Sequence, residues 1–163
     1  MHKFFRMVVF ILLVVLSFQH AAFASGDTKR PLKPTEGIES SDPNYGSSTD
    51  TDTRSIQSTS GLFYNYYCSI TNTGTDLYLE GTTISNYLSD QIGLTLYLQK
   101  WDGSQWIDIQ GWPFTKYNAK SIIEGARSSY QHGNYYRTRA VHYIEYGEQS
   151  ETQYSTSSYI YVE

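Results

Sequence analysis

Ile92-Gly93-Leu94-Thr95-Leu96-Tyr97-Leu98-Gln99-Lys100-Trp101-Asp102-Gly103-Ser104-Gln105-Trp106-Ile107 is the stretch on which the fold turns. Ile92, Leu94, Leu96 and Leu98 occupy alternate positions, and Gly93, Thr95, Tyr97 and Gln99 fill the gaps between them. A strand places successive side chains on opposite faces, so this pattern reads as a strand with one face in a core. Asp102-Gly103 then supplies a hairpin turn, because glycine enters positive φ without a Cβ penalty.

Working outward, the same texture fills 61–163. β-Branched and aromatic residues dominate, and Gly, Asn and Asp punctuate them at short intervals. No window of helical length carries apolar residues at three, four and seven spacing. Strands are expected at 62–70, 77–85, 92–101, 105–111, 121–130, 134–146 and 153–162. Pro113 donates no ladder bond, so it is expected to end a strand or mark an edge. Seven such strands predict an all-β antiparallel sandwich of the immunoglobulin or fibronectin-III-like kind.

In Tyr130-Gln131-His132-Gly133-Asn134-Tyr135-Tyr136, Tyr130 precedes Tyr136 by six positions, with Gly133 between. This resembles the tyrosine corner of fibronectin type III and immunoglobulin-like domains, where a Tyr hydroxyl bonds back to upstream backbone. The resemblance assigns Tyr130, Gly133 and Tyr136 that structural role. Downstream, Tyr136, Thr138, Ala140, His142 and Ile144 alternate with Arg137, Arg139 and Tyr143. The chain lacks the Trp and Cys pair of antibody domains, since Cys68 is its one cysteine.

Two further stretches carry a second resemblance. They are Leu98-Gln99-Lys100-Trp101-Asp102-Gly103-Ser104-Gln105-Trp106 and Gly133-Asn134-Tyr135-Tyr136-Arg137-Thr138-Arg139-Ala140-Val141-His142, followed by the Gly147 and Glu151 region. In these the domain is similar to a family of small uncharacterised exported proteins of Gram-positive bacteria. The resemblance implies secretion and a sandwich; it implies no activity and transfers no site residue.

Upstream of the domain the composition changes twice. Residues 1–24 read as a secretory signal peptide: Lys3 and Arg6 precede an apolar run from Met7 to Phe18, and Ala22-Phe23-Ala24 ends it with the small-x-small cleavage pattern. That run falls short of the ~20 residues a spanning helix needs, so no stable membrane insertion is expected. Residues 25–60 are rich in Ser, Thr, Asp and Pro and poor in large apolar groups, which predicts a disordered linker.

Of the 163 residues, 12 are Lys or Arg and 16 are Asp or Glu, a formal net charge of -4. Loss of 1–24 removes two of the basic residues, leaving 139 residues at -6. An acidic balance argues against a coat for nucleic acid or anionic lipid. Zinc needs three or four clustered ligands, and beyond residue 24 only His132, His142 and Cys68 remain as His or Cys donors. His132 reads as a turn residue, His142 as a core or near-core residue, and Cys68 as a small buried one. Ser occurs in no Gly-x-Ser-x-Gly elbow. Asp102 is explained by its turn, which leaves no facing pair with Asp108 for glycoside hydrolysis. No metal, cofactor or enzymatic activity is therefore expected.

The positive feature is aromatic. The chain has 16 Tyr and 3 Trp, all beyond residue 24. Exposed Tyr and Trp offer large contact area with a polar handle and suit binding surfaces. Tyr97, Trp101, Trp106 and Trp112 are the candidate surface. The expected function is a secreted, non-enzymatic binding module at the cell envelope or outside the cell, its partner a cell-wall glycan or a surface or secreted protein. Two alternatives stand beside it: a structural or assembly protein that self-associates through sheet edges, and a small hydrolase or inhibitor. Tyr also favours strands for packing reasons alone, and Arg137 and Arg139 are placed to make structural cation–π pairs on the outer face.

Overall fold

The computed structural model describes residues 30–49 and 61–163. The expected signal peptide, 1–24, lies outside them, as do 25–29 and 50–60 of the expected linker. The described residues form seven strands and no helix. These are β1 (Tyr45–Ser47), β2 (Phe63–Asn72), β3 (Leu77–Trp101), β4 (Trp106–Ser128), β5 (Asn134–Tyr146), β6 (Gln149–Thr156) and β7 (Ile160–Val162). All pairings between these strands are antiparallel. The strands join in one sheet, ordered β1-β2-β3-β5-β6, with β4 on the far side of β3 and β7 continuing along β5. The sheet curls on itself as a half-barrel rather than splitting into two separate sheets.

The expected strands 77–85 and 92–101 are one strand, β3, and so are 105–111 and 121–130, in β4. Both bend at the same place. Between the pairs Ile84↔Ser121 and Ser89↔Ala119, β3 inserts extra residues against one of β4. Asn118 takes a φ of 49° there. Bulges of this kind crease a sheet. The crease also switches alternation: Leu77 and Leu79 are odd-numbered, whereas Ile92, Leu94, Leu96 and Leu98 are even, yet all are buried together. A straight strand would put the two sets on opposite faces. The switch puts both on the concave side, where the arms close over Cys68, Ile70, Ile122, Ala140 and Ile144.

Pro113 does not end β4. It pairs with Thr95 on a strand whose other side has no neighbour among the described residues, which is where a sheet tolerates proline. The expected strand 153–162 is broken into β6 and β7, because residues 158 and 159 turn their hydrogen bonds to the N-terminal segment. Ser158 N–H donates to Ser47 O (3.0 Å), and Tyr159 N–H to Ile38 O (2.9 Å). The described part of the expected linker is thus built into the domain: β1 pairs with β2, and Pro34 and Ser47 are buried.

Candidate functional site: the arginine and aromatic face

The convex face of β3, β4 and β5 carries the polar and aromatic residues that alternate with the core. Across it, Tyr97 on β3 lies beside Arg139 on β5, and Gln99 beside Arg137. The Arg139 guanidinium sits 4.2 Å from the Tyr97 ring centre, and Arg137 sits 4.3 Å from that of Trp106. Arg139 crosses Tyr97 to donate to Asp108 Oδ2 on β4 (2.7 Å). Gln99 Nε2 donates to Asp108 Oδ1 (2.7 Å), and Gln99 Oε1 accepts from Arg137 Nε (2.7 Å). Burial pushes the Asp108 carboxyl up, but the bonds from Arg139 and Gln99 outweigh it and hold the group below its ordinary value. Burial draws the Arg137 guanidinium down to about 10. Both groups are charged at neutral pH and both are satisfied, so the row clamps three strands and relays no proton.

The four candidate aromatic residues do not share one open surface. Tyr97 lies half-buried under Arg139. Its ring edge is so close to Gly111 on β4 that a Cβ there would come within 3.0 Å of it. Trp112 pairs with Leu96 and packs against the concave core. Trp101 and Trp106 pair at the far end of the convex face in a second apolar cluster with Tyr135, Tyr159 and Tyr161. Trp101 is only 3% exposed, and residues 30–39 cover the cluster: Trp106 Nε1 donates to Glu36 O (3.0 Å).

Trp101 Nε1 is buried with no hydrogen-bond partner among the described residues. An unpaired buried N–H costs about 1–3 kcal/mol, which offsets the lost ring area when it is removed. Trp101→Phe is therefore expected to change stability by no more than about 1 kcal/mol in urea melts. A loss above about 2 kcal/mol would show that the indole N–H has a partner.

Sequence reasoning missed two further aromatic residues of the convex face, one half-buried and one exposed. Tyr143 and Tyr154 share the convex face with Tyr97, through the pairs Tyr143↔Gly93 and Val141↔Tyr154. Tyr143 leans over Gly93, whose missing Cβ would stand 3.2 Å from the Tyr143 Cβ. Tyr154 is 64% exposed. The usable signal was parity: 139, 141 and 143 alternate with the core positions of β5.

The expected corner residues occupy the entry to β5. The Tyr136 hydroxyl donates to Gln131 O (3.2 Å) and accepts from Gln131 N–H (3.0 Å). Gly133 has a φ of 77° and donates to Val162 O (2.7 Å). The Tyr130 hydroxyl donates to Gly74 O (3.1 Å), and its ring packs on the main core.

The remaining chemistry-bearing groups lie apart from one another. His132 is exposed, its Nδ1 against Glu163 O. Asp102 caps its own turn, accepting from Ser104 and Gln105 N–H (2.8 Å each), and those bonds hold its carboxyl below the ordinary value. Cys68 is fully buried, and its thiol donates to Thr138 O (3.6 Å). Burial pushes that thiol up to about 11, where it is no nucleophile. His142 lies in the concave core with both ring nitrogens engaged, Nδ1 by Thr83 Oγ1 and Nε2 by Ser155 Oγ (2.8 Å each). Among the described residues, no three His, Cys, Asp or Glu side chains converge as a metal site. Compared with known proteins, the chain matches no family model, and neither a curated protein nor a solved structure matches it.

Proposed function

We propose that this chain is an exported, non-enzymatic binding module acting at or outside the cell envelope, and that it meets a glycan or protein ligand on its convex face. The observation that carries this reading is the pair Tyr143 and Tyr154 on the convex face, set beside the small residues Gly93 and Thr95. Small neighbours let tyrosine rings lie over the sheet and present their faces. Flat rings with a hydroxyl at one edge suit sugar rings and peptide planes. Export rests on the pattern of residues 1–24. The immunoglobulin or fibronectin-III-like affiliation belongs to the same reading. It is supported by the antiparallel strands and by the return of the Tyr136 hydroxyl to Gln131, with the two arms of the creased sheet standing for the two sheets of a sandwich.

The test is a pull-down of the full chain on peptidoglycan, teichoic acid and a glycan array, with whole cells in parallel. Tyr143→Ala combined with Tyr154→Ala is expected to weaken binding at least tenfold while leaving the melting curve near that of the parent. Unchanged binding by that folded variant would remove the convex face from consideration. Competition by a soluble sugar identifies a glycan; loss of cell binding after protease treatment identifies a protein.

Assembly through sheet edges is the weaker reading. The outer side of β4 has no neighbour among the described residues, yet it carries Pro113, Lys116 and Lys120 and bends at Asn118. Proline, lysine and bends are the features that discourage strand addition. The hydrolase reading has less support, since its one oriented histidine, His142, is sealed inside the core.

A further inference from the structure

The covered end of the convex face has the make-up of a peptide groove. Trp101, Trp106, Tyr135, Tyr159 and Tyr161 form a continuous aromatic basin, with neighbouring ring centres 4.9–5.7 Å apart. Across it runs Arg30-Pro31-Leu32-Lys33-Pro34-Thr35-Glu36-Gly37. Pro34 is the one buried residue between 30 and 39. Arg30 stacks over Tyr161 at 4.0 Å and reaches Tyr135 at 5.5 Å. Trp106 donates its indole N–H to a backbone carbonyl of the segment, that of Glu36. Aromatic grooves take extended Pro-x-x-Pro segments. A basic residue on an aromatic face and an indole N–H to a peptide carbonyl are the contacts seen for this one.

Two observations separate this contact from ordinary packing. The buried indole N–H of Trp101 is unpaired among the described residues, so the basin holds one more donor than the segment uses. The segment's backbone–backbone bonds also begin only at Ile38, whose carbonyl accepts from Tyr159; residues 30–37 are held by side chains. Such a contact breaks without opening the sheet.

We propose that the basin is a recognition groove for an extended, basic Pro-x-x-Pro segment of a partner protein, and that residues 30–37 occupy it in cis as a displaceable stand-in. The segment's tether gives it an effective concentration on the order of millimolar, so a partner must bind well or be present in excess. This groove is separate from Tyr143 and Tyr154 on the convex face, and neither proposal depends on the other.

The test uses the full chain, parental or carrying Arg30→Ala with Pro34→Ala, and a fluorescein-labelled peptide with the sequence of residues 30–37. By fluorescence polarisation, the double variant is expected to bind the peptide saturably and at least tenfold more tightly than the parent does. The same peptide carrying Pro34→Ala is expected to lose at least tenfold. A folded double variant that fails to bind, or binds both peptides alike, would overturn the proposal. Should the double variant unfold, Arg30→Ala alone decides in the same assay. Peptide binding at least fivefold tighter than that of the parent upholds a displaceable segment; binding equal to the parent's overturns it.

Discussion

Between pH 6.5 and about 3, the folded protein is expected to lose about 5 kcal/mol of stability through His142 alone. The ring is completely buried, and burial lowers its pKa from 6.5 to about 3. Its two partners are the hydroxyls of Thr83 and Ser155. A hydroxyl donates or accepts, so a neutral ring of either tautomer is satisfied. No carboxylate bonds the ring to stabilise an imidazolium. Tyr66, 5.2 Å away between ring centres, adds only an aromatic neighbour.

The sign follows from proton binding. In that window the unfolded chain takes up a proton that the folded chain refuses, so stability falls as pH falls. The contribution is complete above pH 6.5, and the slope approaches about 1.4 kcal/mol per pH unit within the window. A whole domain is stable by only about 5–15 kcal/mol, so this one residue is expected to set the acid limb. The measurement is urea unfolding at stepped pH for the parent and for His142→Gln, which titrates nothing at that position. The difference between the two curves is expected to run flat above pH 6.5 and slope below it. Parallel curves down to pH 4 would show that the ring protonates without opening the core.

Gly46→Ala is expected to cost about 3 kcal/mol. A Cβ at this position would stand 2.3 Å from the carbonyl oxygen of Ser158 and 3.1 Å from its carbonyl carbon. Those are backbone atoms, and both chains are pinned. Ser158 N–H donates to Ser47 O (3.0 Å), and Ser47 N–H donates to Ser158 Oγ (3.1 Å). Relief of the clash therefore separates β1 from the break between β6 and β7, breaking bonds that are buried. The midpoint of thermal unfolding is expected to fall by roughly 10 °C. Adding Ser158→Gly is expected to restore little, because the clash is with the main chain. A midpoint within 2 °C of the parent would mean that β1 is not clamped against Ser158.

Much of the fold was legible because it is written in local alternation. The hairpin at Asp102-Gly103 and the entire span of β5 follow from period-two patterning and glycine placement. The crease was legible only in hindsight. Leu77 and Leu79 differ in parity from Ile92 to Leu98, but separate strands joined by a turn give the same pattern. Pairing of one long β4 along both arms decides between the two, and pairing is non-local.

The candidate surface was legible in composition and misplaced in detail. Tyr97, Trp101, Tyr135 and Tyr143 are identifiable as off-core by parity. What parity omits is the cover. Nothing local to Arg30-Pro31-Leu32-Lys33-Pro34 shows that it lies across Trp106 and Tyr161, seventy or more residues away. Its composition reads as linker because it cannot bury a core of its own; it is ordered by a surface that the rest of the chain supplies. By itself, then, the sequence determined the β class, the turns and which positions alternate away from the core. Those depend on side-chain period and backbone sterics between near neighbours. The tertiary structure alone decided which aromatic residues are covered and that the sheet is one creased half-barrel. Those depend on contacts between residues far apart in the chain, whose burial no local pattern specifies.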